Sequence, residues 1–281
     1  MLLNTHSYFS LKYGILSPEK LLQCCAPAPS KTADVKPLRA IALTDINTTS
    51  GILDFFRLAP RYHIKPVAGI DFRNGNQACY VGLAKNAEGF NELNIFLTHH
   101  LQNKIPFPLR APKMENACFV YPFARLHALP AQLNNKQEMA DWLALCENLA
   151  PHEYIGVGPK DFFKLQQSPL RFHLHRLLVL APATFTNKSD FNTHRLLRAI
   201  DNNCLLSKVE REEQAAADEI FYTDEALRVL YRDYPHLLRN TERLLDECHI
   251  DFEFHCNKNR KLYTASAQQD HELLLHLCQE N

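Results

Sequence analysis

Leu3-Asn4-Thr5-His6-Ser7-Tyr8-Phe9-Ser10-Leu11-Lys12-Tyr13-Gly14, Ala40-Ile41-Ala42-Leu43-Thr44-Asp45-Ile46-Asn47 and Ile64-Lys65-Pro66-Val67-Ala68-Gly69-Ile70-Asp71-Phe72 are the three stretches whose reading decides the fold. Each sets apolar residues beside one side chain able to hold a metal or a proton: His6, Asp45 and Asp71. Working outward, Ala40–Thr44, Pro66–Phe72, Ala78–Leu83, Ala117–Tyr121, Tyr154–Val157 and Leu177–Leu180 are short apolar runs that read as strands. Longer amphipathic stretches separate them, the pattern of β/α units, so an α/β fold is expected.

Ser17 before Pro18 starts a helix that runs to about Cys25. Ser50–Tyr62 places Ile52, Phe55, Phe56 and Leu58 on one face, and Glu88–His100 does the same with Phe90, Leu93, Phe96 and Leu97. Phe191–Cys204 is expected to bury Leu196, Leu197 and Ile200 and to leave Arg195 and Arg198 more exposed. Ala26–Pro37 holds three prolines and reads as a loop. Beyond Leu205 only helical stretches remain, Glu225–Tyr231, Tyr234–Cys248 and His271–Cys278. Two parts are therefore expected, a barrel domain over 1–205 and a helical extension over 206–281.

The 46% apolar content and only eight glycines describe a packed body. No apolar run approaches the roughly 20 residues that cross a bilayer, and the opening lacks a secretory signal, so a cytoplasmic location is expected. The nine dispersed cysteines read for the most part as buried thiols of a reducing compartment. With 31 basic and 31 acidic side chains the chain has no global cationic surface to displace counterions from a phosphate backbone. Any DNA is expected to be gripped by other parts of a larger machine.

The three opening stretches together resemble the start of the PHP (polymerase and histidinol phosphatase) domain of C-family DNA polymerase alpha subunits. That family's pattern is His-x-His-Ser-x-x-Ser-x-x-x-Gly, then Leu-Thr-Asp-His-x-x-x-x-Gly, then Ile-x-Pro-x-x-Gly-x-Glu. Leu83–Gly89, Phe191–Lys208 and the final His271–Cys278 resemble later parts of the same region in the same order. The resemblance implies a distorted, parallel barrel of about seven β/α units, with its site at the C-terminal strand ends. It also implies a parent DNA-directed DNA polymerase, a nucleotidyltransferase acting in replication. The Pro-Asp-x-Asp-x-Asp triad that would hold catalytic magnesium is absent from this chain, which alone is not expected to polymerise. A truncated product, an isolated domain or an incomplete gene is expected instead, partnered by the polymerase body and by replisome subunits.

Active members of the family hold up to three divalent ions, so each ligand position has an expectation here. Asn4 stands where the first histidine belongs, and His6 keeps the second. Asp45 is kept, but Ile46 replaces the histidine beside it. Asp71 stands in for a glutamate with one methylene less reach, and Cys79 falls where the next histidine belongs. Gly156 replaces a polar residue. Ala181-Pro182-Ala183-Thr184 replaces an Asn-Asp-x-His or Asn-Asp-x-Arg string, so Pro182 and Thr184 offer no strong donor. The site is read as vestigial and no metal is expected. Any single zinc, manganese or magnesium ion would use His6, Asp45, Asp71 and Cys79. Otherwise His6 and Asp45 are expected to pair in the barrel mouth. An active 3′–5′ exonuclease or small-ester phosphatase is the rival reading.

Other candidates read more simply as structure. His173-Leu174-His175 precedes a strand, and His99-His100 ends a helix. Cys248-His249 with His255-Cys256 lacks zinc-finger spacing.

Overall fold

The computed structural model describes residues 1–26, 40–128, 130, 136–254, 256–257, 259 and 261–280. The expected loop beyond Ala26, and His255 of the zinc candidate, lie outside the described residues.

Seven strands form one sheet in sequence order: β1 (Leu2–Thr5), β2 (Ala40–Leu43), β3 (Lys65–Asn74), β4 (Gln77–Ala84), β5 (Ala117–Pro122), β6 (Glu153–Val157) and β7 (Leu177–Val179). The sheet curls until its ends meet. His6 N–H donates to Ala183 C=O (3.1 Å) and Ala183 N–H to Asn4 C=O (3.0 Å), joining β1 to the segment after β7. Pairing is parallel for β1–β2–β3 and for β5–β6–β7. The expectation of a parallel barrel needs one correction, because β4 runs antiparallel to both β3 and β5. The cause is local. Only Gly75 and Asn76 separate Asn74 from its partner Gln77, and Gly75 adopts φ +61°. A parallel crossover needs a dozen or more residues, so a two-residue link can only make a hairpin.

Helices α1 (Pro18–Cys25), α2 (Ile52–Leu58), α3 (Ala87–Asn103), α4 (Phe123–Ala128), α5 (Lys136–Glu147), α6 (Phe162–Gln167) and α7 (Lys188–Asp201) intersperse the strands. Ser17 caps α1 through Lys20 N–H, and Asn86 caps α3 through Gly89 N–H. The inner strands β2 and β6 are buried on both faces, which is why Ala40–Leu43 and Tyr154–Val157 read as continuous apolar runs.

The face of α7 differs from expectation. His194 and Arg198 are buried, whereas Leu196 is 51% and Ile200 60% exposed. Polar bonds drive this. His194 Nδ1 donates to Tyr13 C=O (2.7 Å), and its Nε2 accepts Ala215 N–H (2.8 Å). Arg198 reaches Glu213 C=O, Asp201 and Asn76.

The expected boundary at 205/206 falls inside a compact unit that runs Met1–Asp251, followed by a second unit, Phe252–Asn281. Helix α8 (Asp224–Leu230) and especially α9 (Pro235–Glu247) belong to the first. Helix α9 buries Leu237, Leu238, Thr241, Leu244 and Leu245. Thr241 Oγ1 accepts Val179 N–H of β7 (2.9 Å), and Lys65 of β3 donates to the Leu245 and Asp246 carbonyls. Helix α10 (Ala267–Glu280) lies in the second unit. Among the described residues no helix is long and apolar enough to cross a membrane.

Candidate functional site

The C-terminal ends of the parallel strands present the chemistry. His6 leaves β1, Asp45 leaves β2, and Asp71 lies near the end of β3; all three are buried. Antiparallel β4 brings its starting end, with Cys79, to the same side. The three principal side chains divide into two hydrogen-bonded groups.

Asp45 is held by the loop that follows β1. Its Oδ1 accepts Ser7 N–H (2.7 Å) and the Ser10 hydroxyl (2.7 Å), and its Oδ2 accepts the Ser7 hydroxyl (2.7 Å). Ser10 Oγ in turn accepts Ile46 N–H (3.0 Å). Burial pushes the Asp45 carboxyl up, and the Ser10 and Ser7 hydrogen bonds oppose that shift.

His6 belongs to the second group. Its Nε2 donates to Asp71 Oδ2 (3.0 Å), and its Nδ1 lies 3.0 Å from Thr184 Oγ1. Thr184 Oγ1 donates to Glu219 Oε2 (2.9 Å). Arg73 donates to Asp71 Oδ2 through both Nε (2.9 Å) and Nη2 (2.7 Å). Burial alone would raise the Asp71 carboxyl, yet Arg73 and His6 outweigh it and hold the group below the ordinary carboxylate range. The expected His6–Asp45 pair is thus corrected: His6 turns to Asp71, because the serines already fill the Asp45 oxygens.

The remaining expected site residues fall into place individually. Asn4 Oδ1 accepts the Thr44 hydroxyl (3.0 Å), a bond that knits β1 to β2. Ile46 is half-buried and packs beside the small core of Tyr13, Phe185 and Ala215. Cys79 sits at a register shift of the β3–β4 ladder, with burial raising its thiol and Arg125 as its charged neighbour. Pro182 lines a cavity of about 240 Å³ with Gly156 and Glu219. His173 bonds Cys146 C=O (2.8 Å) instead of joining the site.

Every oxygen of Asp45, the Asp71 Oδ2 and the His6 Nε2 already face protein partners, and an incoming ion would have to displace them. Among the described residues no three His, Cys, Asp or Glu side chains come together to hold a metal ion. The residues present do not fit a di- or trinuclear centre. Two site residues escaped the sequence reading, Arg73 and Glu219. The Asp71-x-Arg73 spacing could have revealed the first, since strand residues two apart share a face. Glu219 has no local signal.

Above this network opens a cavity of about 580 Å³ lined by Phe9, Tyr13, Asn47, Arg73 and Arg198 among others. Residues 3–133 match the family model of the PHP domain. Over that stretch the chain is similar to a PHP domain. It is 21% identical over 293 residues to the DNA polymerase III subunit alpha of Halalkalibacterium halodurans, covering 99% of this chain and 26% of that protein. The same subunit of Buchnera aphidicola is 22% identical over 272 residues, covering 88% of the chain and 23% of that protein. That of Haemophilus influenzae is 23% identical over 268 residues, covering 88% and 22%. The chain spans about a quarter of the length of these curated relatives. A solved amidohydrolase from Chromobacterium violaceum aligns over 64% of this chain and 85% of its own, at 13% identity and a TM-score of 0.33, too low to bear on the fold.

Proposed function

We propose that this chain is the PHP part of a DNA polymerase III alpha-type subunit in the cytoplasm, serving replication as a structural domain with a degenerate metal site. It braces the polymerase body, meets DNA only indirectly, and turns over no phosphoester of its own. The observation that carries this reading is the engagement of His6, Asp45 and Asp71 by protein groups within a domain related to that subunit. Phosphoester hydrolysis in this fold requires a cation to polarise the ester and ionise a water. His6, both oxygens of Asp45 and Oδ2 of Asp71, which would help to place one, are engaged by protein groups.

The test is hydrolysis of single-stranded DNA and of an aryl phosphodiester by the purified chain with Mn²⁺, Zn²⁺ or Mg²⁺. No metal-dependent turnover is expected. Turnover that Asp45→Asn abolishes would establish the rival, an active phosphoesterase.

A further inference from the structure

Asp71 is 1% exposed, and its two oxygens are used very unequally. Oδ2 takes three donors, His6 Nε2 and two from Arg73, whereas no donor among the described residues reaches the buried Oδ1. Two of the three donors come from Arg73, whose side chain is 10% exposed.

Besides Asp71, Asn47 and Tyr13 hold that arginine. Asn47, at φ 50°, accepts Arg73 N–H at Oδ1 (2.9 Å) and donates from Nδ2 to Arg73 C=O (2.8 Å). Left-handed backbone is costly for most side chains and tolerated by asparagine, so this residue suits the clamp. The Arg73 guanidinium carbon lies 4.7 Å from the Tyr13 ring centroid, within cation–π range, and that of Arg198 lies 5.9 Å from the same ring. A guanidinium keeps its charge at any pH at which the protein is folded.

We infer that Arg73 is the barrel's resident cation: its guanidinium fills the space beside Asp71 and His6 that a divalent metal ion would need, and neutralises the buried carboxylate in its place. This rests on the reading of the barrel as a structural domain. A dication at Asp71 Oδ2 would stand in contact with a permanent positive charge in a buried setting, where like charges repel strongly. Removing the guanidinium while keeping Asp71 and His6 should therefore convert a closed site into a cation site.

The experiment uses the full chain and Mn²⁺, with binding read from loss of the free-ion electron paramagnetic resonance signal and stability read as Tm. Wild type should bind no Mn²⁺ at the mouth, and its Tm should be indifferent to the ion and to chelator. Arg73→Ala should lose Tm in chelator and bind about one Mn²⁺. At saturating ion it should regain roughly 5–10 °C, the shift expected of a ligand at about a hundred times its dissociation constant. Arg73→Lys, which keeps the charge, should stay closed. Asp71→Asn with Arg73→Met removes both charges and should fold without responding to the ion.

Three results overturn the inference. One is Asp71-dependent Mn²⁺ binding by wild type. Another is a folded Arg73→Ala that binds none, or binds an ion whose affinity survives Asp71→Asn. The third is Arg73→Ala that fails to fold even with Mn²⁺ supplied, whatever the double variant does. Wild-type binding without turnover sinks this inference and the degenerate site but leaves the structural, non-hydrolytic role standing, whereas phosphoester turnover sinks that role.

Discussion

Replacing Ser10 by alanine tests whether the loop after β1, and not a metal, satisfies Asp45. Ser10 is 1% exposed, so no water can take over its bonds. The hydroxyl donates to Asp45 Oδ1 at 2.7 Å and accepts Ile46 N–H at 3.0 Å. A hydrogen bond to a charged group contributes about 1.5–3 kcal/mol, and a neutral one about 0.5–1.5 kcal/mol. Ser10→Ala should therefore cost about 3 kcal/mol, lowering the urea midpoint by roughly 1 M for a slope near 3 kcal/mol/M. Repeating the substitution in an Asp45→Asn background should shrink the cost by about 1–2 kcal/mol, the part that belongs to the carboxylate. Equilibrium urea unfolding with and without chelator is the assay. A cost below 1 kcal/mol, additivity with Asp45→Asn, or a cost that appears only in chelator would refute the reasoning.

Further outcomes follow from other contacts. Glu153 is fully buried and accepts from Arg110 twice, from Tyr121 and from Ala150 N–H. Because Arg110 is 36% exposed, Glu153→Ala should cost about 2–3 kcal/mol in urea unfolding, less than a wholly buried pair. Burial raises the Glu153 carboxyl, but Arg110 and Ala150 N–H bring it below its ordinary 4.5. Its contribution is complete above that value and is lost as pH falls through the lowered one, so the acid limb of a stability–pH curve should flatten in Glu153→Ala. Burial likewise lowers His194 from 6.5. Its neutral form is favoured in the fold, so stability should fall as pH drops below about 6.5, and His194→Phe should remove that slope while costing stability at pH 8. A Cβ on Gly89 would meet the Asn116 carbonyl oxygen at 1.8 Å, so Gly89→Ala should displace the start of α3 and cost more than 2 kcal/mol in Tm or urea measurements. Equal stability of that variant and wild type would refute the packing assigned to α3.

How far the residues alone revealed this structure depends on how local each cause is. Six strands were legible from short apolar runs, clearest in Ala40–Leu43, Ala117–Tyr121 and Tyr154–Val157, which are buried. Strand β1 was quoted but not read as one, since Asn4 and Thr5 look polar until their bonds to Thr44 and Ala42 are seen. The direction of β4 was written in Asn74-Gly75-Asn76, a hairpin signal that the alternation of strands and helices overrode. Leu196 and Ile200 misled the reading of α7, because periodicity cannot anticipate that His194 and Arg198 find polar partners inside. The motif strings named His6, Asp45 and Asp71, which the fold gathers at the strand ends, but not their pairing. That depends on Ser7 and Ser10 lying across from Asp45 and on Arg73 and Glu219 arriving from separate elements.

The most direct test of the central claim is anomalous X-ray diffraction from crystals of the chain soaked in Mn²⁺ and in Zn²⁺. The account predicts no anomalous peak among His6, Asp45, Asp71 and Cys79, with the Arg73 guanidinium in density against Asp71. Two or more ordered ions among those side chains, with Arg73 swung away, would contradict it.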